Sequence, residues 1–317
     1  MRERLIVKLI LGICILSMII GIYLVLTKEH GYKKTIALPH ESLKKEGIAV
    51  IKIYGPIEIR ERFGVRYLYS SDWIVKRLKK IRENKKIKGV VLRINSPGGT
   101  IGATQEIYKQ VLQIREAGKK VVASIGDIGT SGAYYIACAT DKIVANPGAI
   151  IGNIGVIFAI PNLKSLLDKV GVEFKIIKSG EYKDIGSYFR DMEEKERRLL
   201  QEVIDSAYNQ FYKAVVKGRK GVLTENEVKE LSDGRIFTGV QAKEAGIIDK
   251  VGDYEDSIRL ITKLCGIKGK PQIIEEEIHP FELIFGKFEE MLRHNSLAYL
   301  QENVEKVRLE YRYRPGF

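Results

Sequence analysis

From residue 47 onward the chain alternates short β-rich runs with helical patterns, and no other feature limits its fold as tightly. Ile48-Ala49-Val50-Ile51-Lys52-Ile53 reads as a strand closed by Gly55-Pro56. Residues 72–83 carry Trp73, Val75, Leu78 and Ile81 at helical spacing, with Asp72 as the expected cap. A second strand, 89–94, runs into Asn95-Ser96-Pro97-Gly98-Gly99, followed by a helix over 103–117 and a strand over 120–125. Gly129-Thr130-Ser131-Gly132 opens another helix, and further strands are expected at 142–145, 154–159 and 173–177. Repeated strand-then-helix order predicts an α/β domain.

The C-terminal half reads as mostly helical. Residues 191–218 form one long helical pattern whose stripe of Leu199, Leu200, Val203, Ile204, Ala207, Phe211 and Val215 is expected to pack in the core. Thr224-Glu225-Asn226-Glu227 has capping-box spacing. Residues 280–313 look amphipathic and helical, a packing or oligomerisation arm within a 269–317 tail.

The N-terminus points to a membrane. Residues 9–26 contain no charge, about the shortest run able to span a hydrocarbon core. Arg2, Arg4 and Lys8 precede it, but no small-x-small cleavage site ends it, so an uncleaved anchor is expected rather than a signal peptide. The organisation expected is therefore 1–8 short N-terminal segment, 9–26 anchor, 27–46 polar linker, 47–268 main α/β domain and 269–317 tail. Charge flanking the anchor leans toward a cytoplasmic N-terminus.

Composition narrows the chemistry. Of 317 residues 45% are hydrophobic and 29% charged, which excludes a disordered or collagen-like chain. Cysteines at 14, 138 and 265 are too few and too scattered for a disulfide framework or a Cys-rich zinc site. The net charge of +13 is spread along the chain without a nucleic-acid motif, so no nucleic-acid partner is expected. The four histidines are His30, His40, His279 and His294, leaving residues 41–278 to work without imidazole.

Three glycine-rich turns could host chemistry. In Ser96-Pro97-Gly98-Gly99 two glycines free the backbone to present N–H groups, as in half of an oxyanion hole, although a plain turn fits equally. Ser131, at the mouth of a helix, reads either as an N-cap or as a nucleophile among small neighbours, with the Gly132 N–H placed to meet an oxyanion. In Lys178-Ser179-Gly180-Glu181-Tyr182-Lys183-Asp184 the lysines could be surface charge alone.

Taken together these segments resemble the signal peptide peptidase A group of S49 serine peptidases. The pieces are R-I-N-S-P-G-G at 93–99, G-T-S-G-A-Y-Y-I-A at 129–137, G-N-I-G-V at 152–156, K-S-G-E-Y-K-D-I-G-S at 178–187 and G-R-I-F-T-G at 234–239, in family order over roughly 47–268. The resemblance implies a Clp/crotonase-like spiral of ββα units and a Ser-Lys dyad, with Ser131 as nucleophile and Lys183 as general base. It puts Gly98, Gly99 and Gly132 at the oxyanion hole. Asn153 stands where the family usually has a serine that orients the lysine, and Tyr188 where it commonly has proline. The resemblance also implies hydrophobic peptide substrates such as released signal peptides, a homo-oligomeric ring at a membrane lipid surface, an extracytoplasmic catalytic domain, and no cofactor or metal. Other readings are a Ser-Lys protease acting on a specific membrane protein, a catalytically dead membrane scaffold, and a CoA-thioester enzyme of the crotonase type.

Overall fold

The computed structural model describes residues 11, 12, 14–18, 46–59, 70–275 and 310–312. The chain divides into two units, 1–43 and 44–317. In the first, the described residues are helical and exposed. The anchor expected at 9–26 lies mostly outside the described residues, among which no helix is long and apolar enough to cross a membrane.

The second unit is built on a mostly parallel sheet. Its strands are β1 (Gly47–Tyr54), β2 (Ile87–Ser96), β4 (Lys120–Thr130), β5 (Lys142–Ala145), β6 (Ile150–Gly152), β7 (Ile236–Thr238), β8 (Lys250–Val251) and β9 (Gln272–Ile274). The order is β7-β6-β4-β2-β1-β9, with β5 between β4 and β8; only the β6–β7 pair is antiparallel. Near-continuous apolar runs explain the centre: Val90-Val91-Leu92 and Val121-Val122-Ala123 are fully buried, as strands covered on both faces must be. Helix α8 (Tyr254–Leu264) seals one face, where Ile261 packs with Ile48, Val50, Val91, Val122 and Val144.

β4 divides one of its edges. Val122–Ile125 pair with β5, whereas Ile128–Thr130 pair with β6. The strand then passes through Ser131 into α3 (Gly132–Ala137), so the sheet itself carries the chain to that serine. A separate two-stranded ladder joins β3 (Gly98–Thr100) to β10 (Glu310–Arg312), antiparallel.

Several expectations need correction. Helix α1 (Ser71–Glu83) is capped by Ser70, whose hydroxyl accepts from the Trp73 N–H; Asp72 sits in the first turn instead. No strand forms at 173–177, and over 154–159 only Ile157 makes a bridge, to Glu310. The Gly98–Gly99 turn is part of β3. Of the helix expected at 280–313 only 310–312 are described, and they form a strand; residues 280–309 lie outside the described residues, and earlier in the tail 272–274 form another strand. The long helix is α5 (Glu194–Gly218), but only Ala207, Phe211, Ala214 and Val215 of its apolar positions are buried, while Leu199 and Val203 are exposed. The Thr224 capping box forms as expected at the start of α6 (Glu225–Leu231), with the Thr224 hydroxyl accepting from the Glu227 N–H.

Candidate active site

Ser131 sits at the β4–α3 junction with φ 54° and ψ −121°. That conformation belongs to glycine and strains an L-residue. Two backbone hydrogen bonds hold it: the Ser131 N–H donates to the Gly152 carbonyl at 2.8 Å, and its carbonyl accepts from the Tyr135 N–H at 2.9 Å. Its side chain makes no capping bond, so the N-cap reading fails. The Gly132 N–H, first in the helix, has no intrahelical acceptor and no other partner among the described residues. A free hydroxyl beside a free helix N–H suits acyl transfer, in which the N–H meets the charge that develops on the carbonyl oxygen.

Below Ser131, α3 is fully inside. Tyr134 is buried and donates its hydroxyl to the Ile247 carbonyl at 2.7 Å. Tyr135 packs on Phe211 of α5 with ring centroids 5.1 Å apart. Cys138 ends the helix, and burial pushes its thiol up to about 12. These contacts fix the orientation of the helix that begins at the serine.

Gly98 and Gly99 line the neighbouring ladder. Gly98 has φ +95°, and its N–H donates to the Ser96 hydroxyl at 3.2 Å. Ile57 runs along one edge of β3, its N–H donating to the Gly98 carbonyl and its carbonyl accepting from the Thr100 N–H, both at 2.9 Å. On the other edge Tyr311 is in register with Gly99 and Arg312 with Gly98.

Asn153 follows β6 with φ 52°. Among non-glycine residues asparagine tolerates this left-handed conformation best, which serine does not. The Asn153 N–H donates to the Arg235 carbonyl, and its Nδ2 donates to the Gly234 carbonyl, both at 2.8 Å. The side-chain carbonyl Oδ1 keeps its acceptor capacity. The 152–156 and 234–239 segments, distant in sequence, thus meet at this residue.

Lys183 lies in an exposed turn, its N–H donating to the Gly180 carbonyl at 3.1 Å. No hydrogen bond joins it to Ser131 or to Asn153. The structure therefore assembles Ser131, Gly132 and Asn153 around the β4 and β6 ends, but leaves Lys183 open to solvent. Sequence reading missed the ion-pair ladder around Lys183. Asp184 accepts from Lys178 at 2.6 Å and from Arg190 at 2.9 Å, and Arg190 forks onto Glu196 at the start of α5. Charges six residues apart are not neighbours on a helix and these residues form no strand, so only the turn brings them together.

These features define an α/β protein in which, among the described residues, one serine is held in a strained backbone conformation at a strand-to-helix junction. Residues 113–268 match Peptidase family S49. A Synechocystis protein named as a candidate protease, slr0021, is 44% identical over 229 residues, 72% of this chain and 78% of that one. A protein of Enterococcus faecium named as a candidate signal peptide peptidase SppA is 40% identical, over 62% of this chain and 57% of that one. Protease 4 of Salmonella typhi is 30% identical, over 77% of this chain and 40% of its own length. The chain belongs to peptidase family S49.

Proposed function

We propose that the protein is a membrane-anchored serine endopeptidase in which Ser131 is the nucleophile and Lys183 the general base, and that it cleaves hydrophobic peptides such as released signal peptides. The single observation that carries this reading is the strained, uncapped Ser131 beside the free Gly132 N–H.

In the proposed reaction Ser131 Oγ attacks the scissile carbonyl and its proton passes to neutral Lys183. The oxyanion is met by the Gly132 N–H and by the backbone at Gly99, or at Gly98 if its N–H turns away from the Ser96 hydroxyl. Protonated Lys183 then delivers the proton to the leaving amine. Because Lys183 is exposed in the single chain, the reading requires bound peptide or a neighbouring protomer to cover it. The open Oδ1 of Asn153 supports a role in orienting that lysine. Exposed Val172, Phe174, Ile176 and Ile177, which precede the Lys183 turn, support assembly into a homo-oligomeric ring. The uncharged 9–26 run supports the anchor and an extracytoplasmic domain. The parallel sheet and the strand-to-helix turn at Ser131 are consistent with a Clp/crotonase-like spiral.

The test is peptide hydrolysis by the full chain in detergent, using a hydrophobic signal-peptide mimic from pH 6 to 10. Ser131→Ala and Lys183→Ala should both abolish turnover while wild-type rates climb into alkaline pH. An active Lys183→Ala protein, or inert wild type in its assembled state, would overturn the reading.

A further inference from the structure

The turn that carries Lys183 makes few contacts of its own, yet one side chain ties it to the body of the protein. All five N–H donors of Arg190 have acceptors. Nε donates to the Asp184 carboxylate at 2.9 Å and Nη2 reaches the Asp184 carbonyl at 3.4 Å. Nη1 donates to the Asp191 carbonyl at 3.1 Å, and the fork closes on Glu196 at 2.8 and 2.5 Å. No residue other than arginine presents five donors in one rigid plane.

Each end of this contact is itself fixed. Asp184, its carboxylate only 10% exposed, also accepts from Lys178, whose ammonium bonds the Glu181 carbonyl and so closes the turn around Lys183. Glu196 is buried, and its carboxylate also accepts from the Glu193 N–H as the capping box of α5. Helix α5 runs from there to Phe211, fully buried against Tyr135 in the helix that starts at Ser131. A continuous set of contacts therefore leads from the residue after Lys183, through Arg190, Glu196 and α5, to the helix of the serine.

We propose that Arg190 is a positioning residue for Lys183: by gripping both the carboxylate and the carbonyl of Asp184 and anchoring them to α5, it sets where the lysine starts relative to Ser131. This rests on the reading of Lys183 as the base. Arg190 touches neither substrate nor reacting atoms; it acts by holding the backbone from which the base reaches. Misplacement of a catalytic group by about 1 Å can cost on the order of 10²-fold in rate.

The experiment compares full-length wild type with Arg190→Ala, Arg190→Lys, Glu196→Gln and Lys183→Ala on one hydrophobic fluorogenic peptide, with thermal unfolding measured in parallel. Arg190→Ala should lose about 10²-fold in kcat while KM stays within about threefold. Arg190→Lys should recover little of it, because an ammonium cannot span the same acceptors. Added guanidinium ion should restore part of kcat in Arg190→Ala and none in Lys183→Ala. Glu196→Gln keeps an acceptor for the cap but loses the ion pair; it covers the case in which Arg190→Ala does not fold, and should lower kcat even when assayed well below its own, reduced Tm. Unchanged kcat in a folded Arg190 or Glu196 variant would overturn the proposal, with an inactive Lys183→Ala leaving the dyad intact. So would a kcat loss that only tracks Tm and does not respond to guanidinium. An active Lys183→Ala would instead remove the base itself and the proposal with it.

Discussion

Gly99 lies flush against Ile57: a methyl group on its Cα would stand 1.9 Å from the Ile57 carbonyl oxygen. That oxygen is backbone and also accepts from the Thr100 N–H, so it cannot move aside cheaply. Gly99→Ala should destabilise the protein by about 1–3 kcal/mol or more, the usual range for overpacking. Gly102→Ala is the control, since nothing lies within 4 Å of a methyl there and the site is inside helix α2 (Ile101–Glu116). Because Gly102 lies in the first turn, its replacement should be neutral or slightly stabilising. Chemical denaturation of the two variants checks both expectations, and equal shifts would refute the argument.

Strain at Ser131 predicts a trade between stability and activity. Replacing it by glycine removes a backbone penalty of about 1–3 kcal/mol without losing a side-chain hydrogen bond. Ser131→Gly should therefore be inactive and melt a few degrees higher than wild type. A lower Tm would mean that the hydroxyl stabilises the fold in a way the structure does not reveal.

Acid should act partly through Glu196. The Arg190 fork, aided by the Glu193 N–H, holds its carboxyl down to about 2, below the ordinary glutamate range. A depressed carboxyl contributes stability above its unfolded pKa, and that stability is lost as pH falls toward the folded value. Between about pH 4 and pH 2, Tm should drop more steeply for wild type than for Glu196→Gln. Superimposable curves would show that this carboxylate is not linked to folding.

Self-association should depend on the segment ahead of Lys183. Val172 and Ile177 are exposed in the single chain, Ile177 completely. Val172→Asp combined with Ile177→Asp should shift the detergent-solubilised protein from an oligomer to a monomer in light scattering, and activity should fall with it. A variant that assembles like wild type would place the interface elsewhere.

How far the sequence went depended on whether a residue's own chemistry or its partner decided the outcome. Continuous apolar runs such as Val90-Val91-Leu92 can only be buried strands, and the Thr224 box caps its helix with residues close in sequence. Residues 173–177 read as a strand, but a strand pattern orders side chains on two faces and cannot create a neighbour, and among the described residues none pairs with them. The α5 stripe kept its helical period beyond the point where the core ends, so Leu199 and Val203 emerge into solvent. At the site, Ser131 stood out by its small neighbours, whereas its positive φ is imposed by the β4–β6 ladder and is invisible in composition. Asn153, a departure from the family pattern, suits its own left-handed backbone. Arg190 escaped notice because its acceptors are gathered by a turn.

The strand order also sets when this protein can become a protein. β1, the first described strand of the domain to leave the ribosome, is flanked by β2 on one side and by β9 on the other, where Gly47–Ala49 pair with Gln272–Ile274. The opening strand therefore waits for more than two hundred further residues before its second edge is filled. Until then it offers an apolar edge to any neighbouring chain, the condition under which slow parallel sheets misassemble. Truncation just before residue 272 should therefore yield an aggregating chain, although every residue matched to the family would still be present.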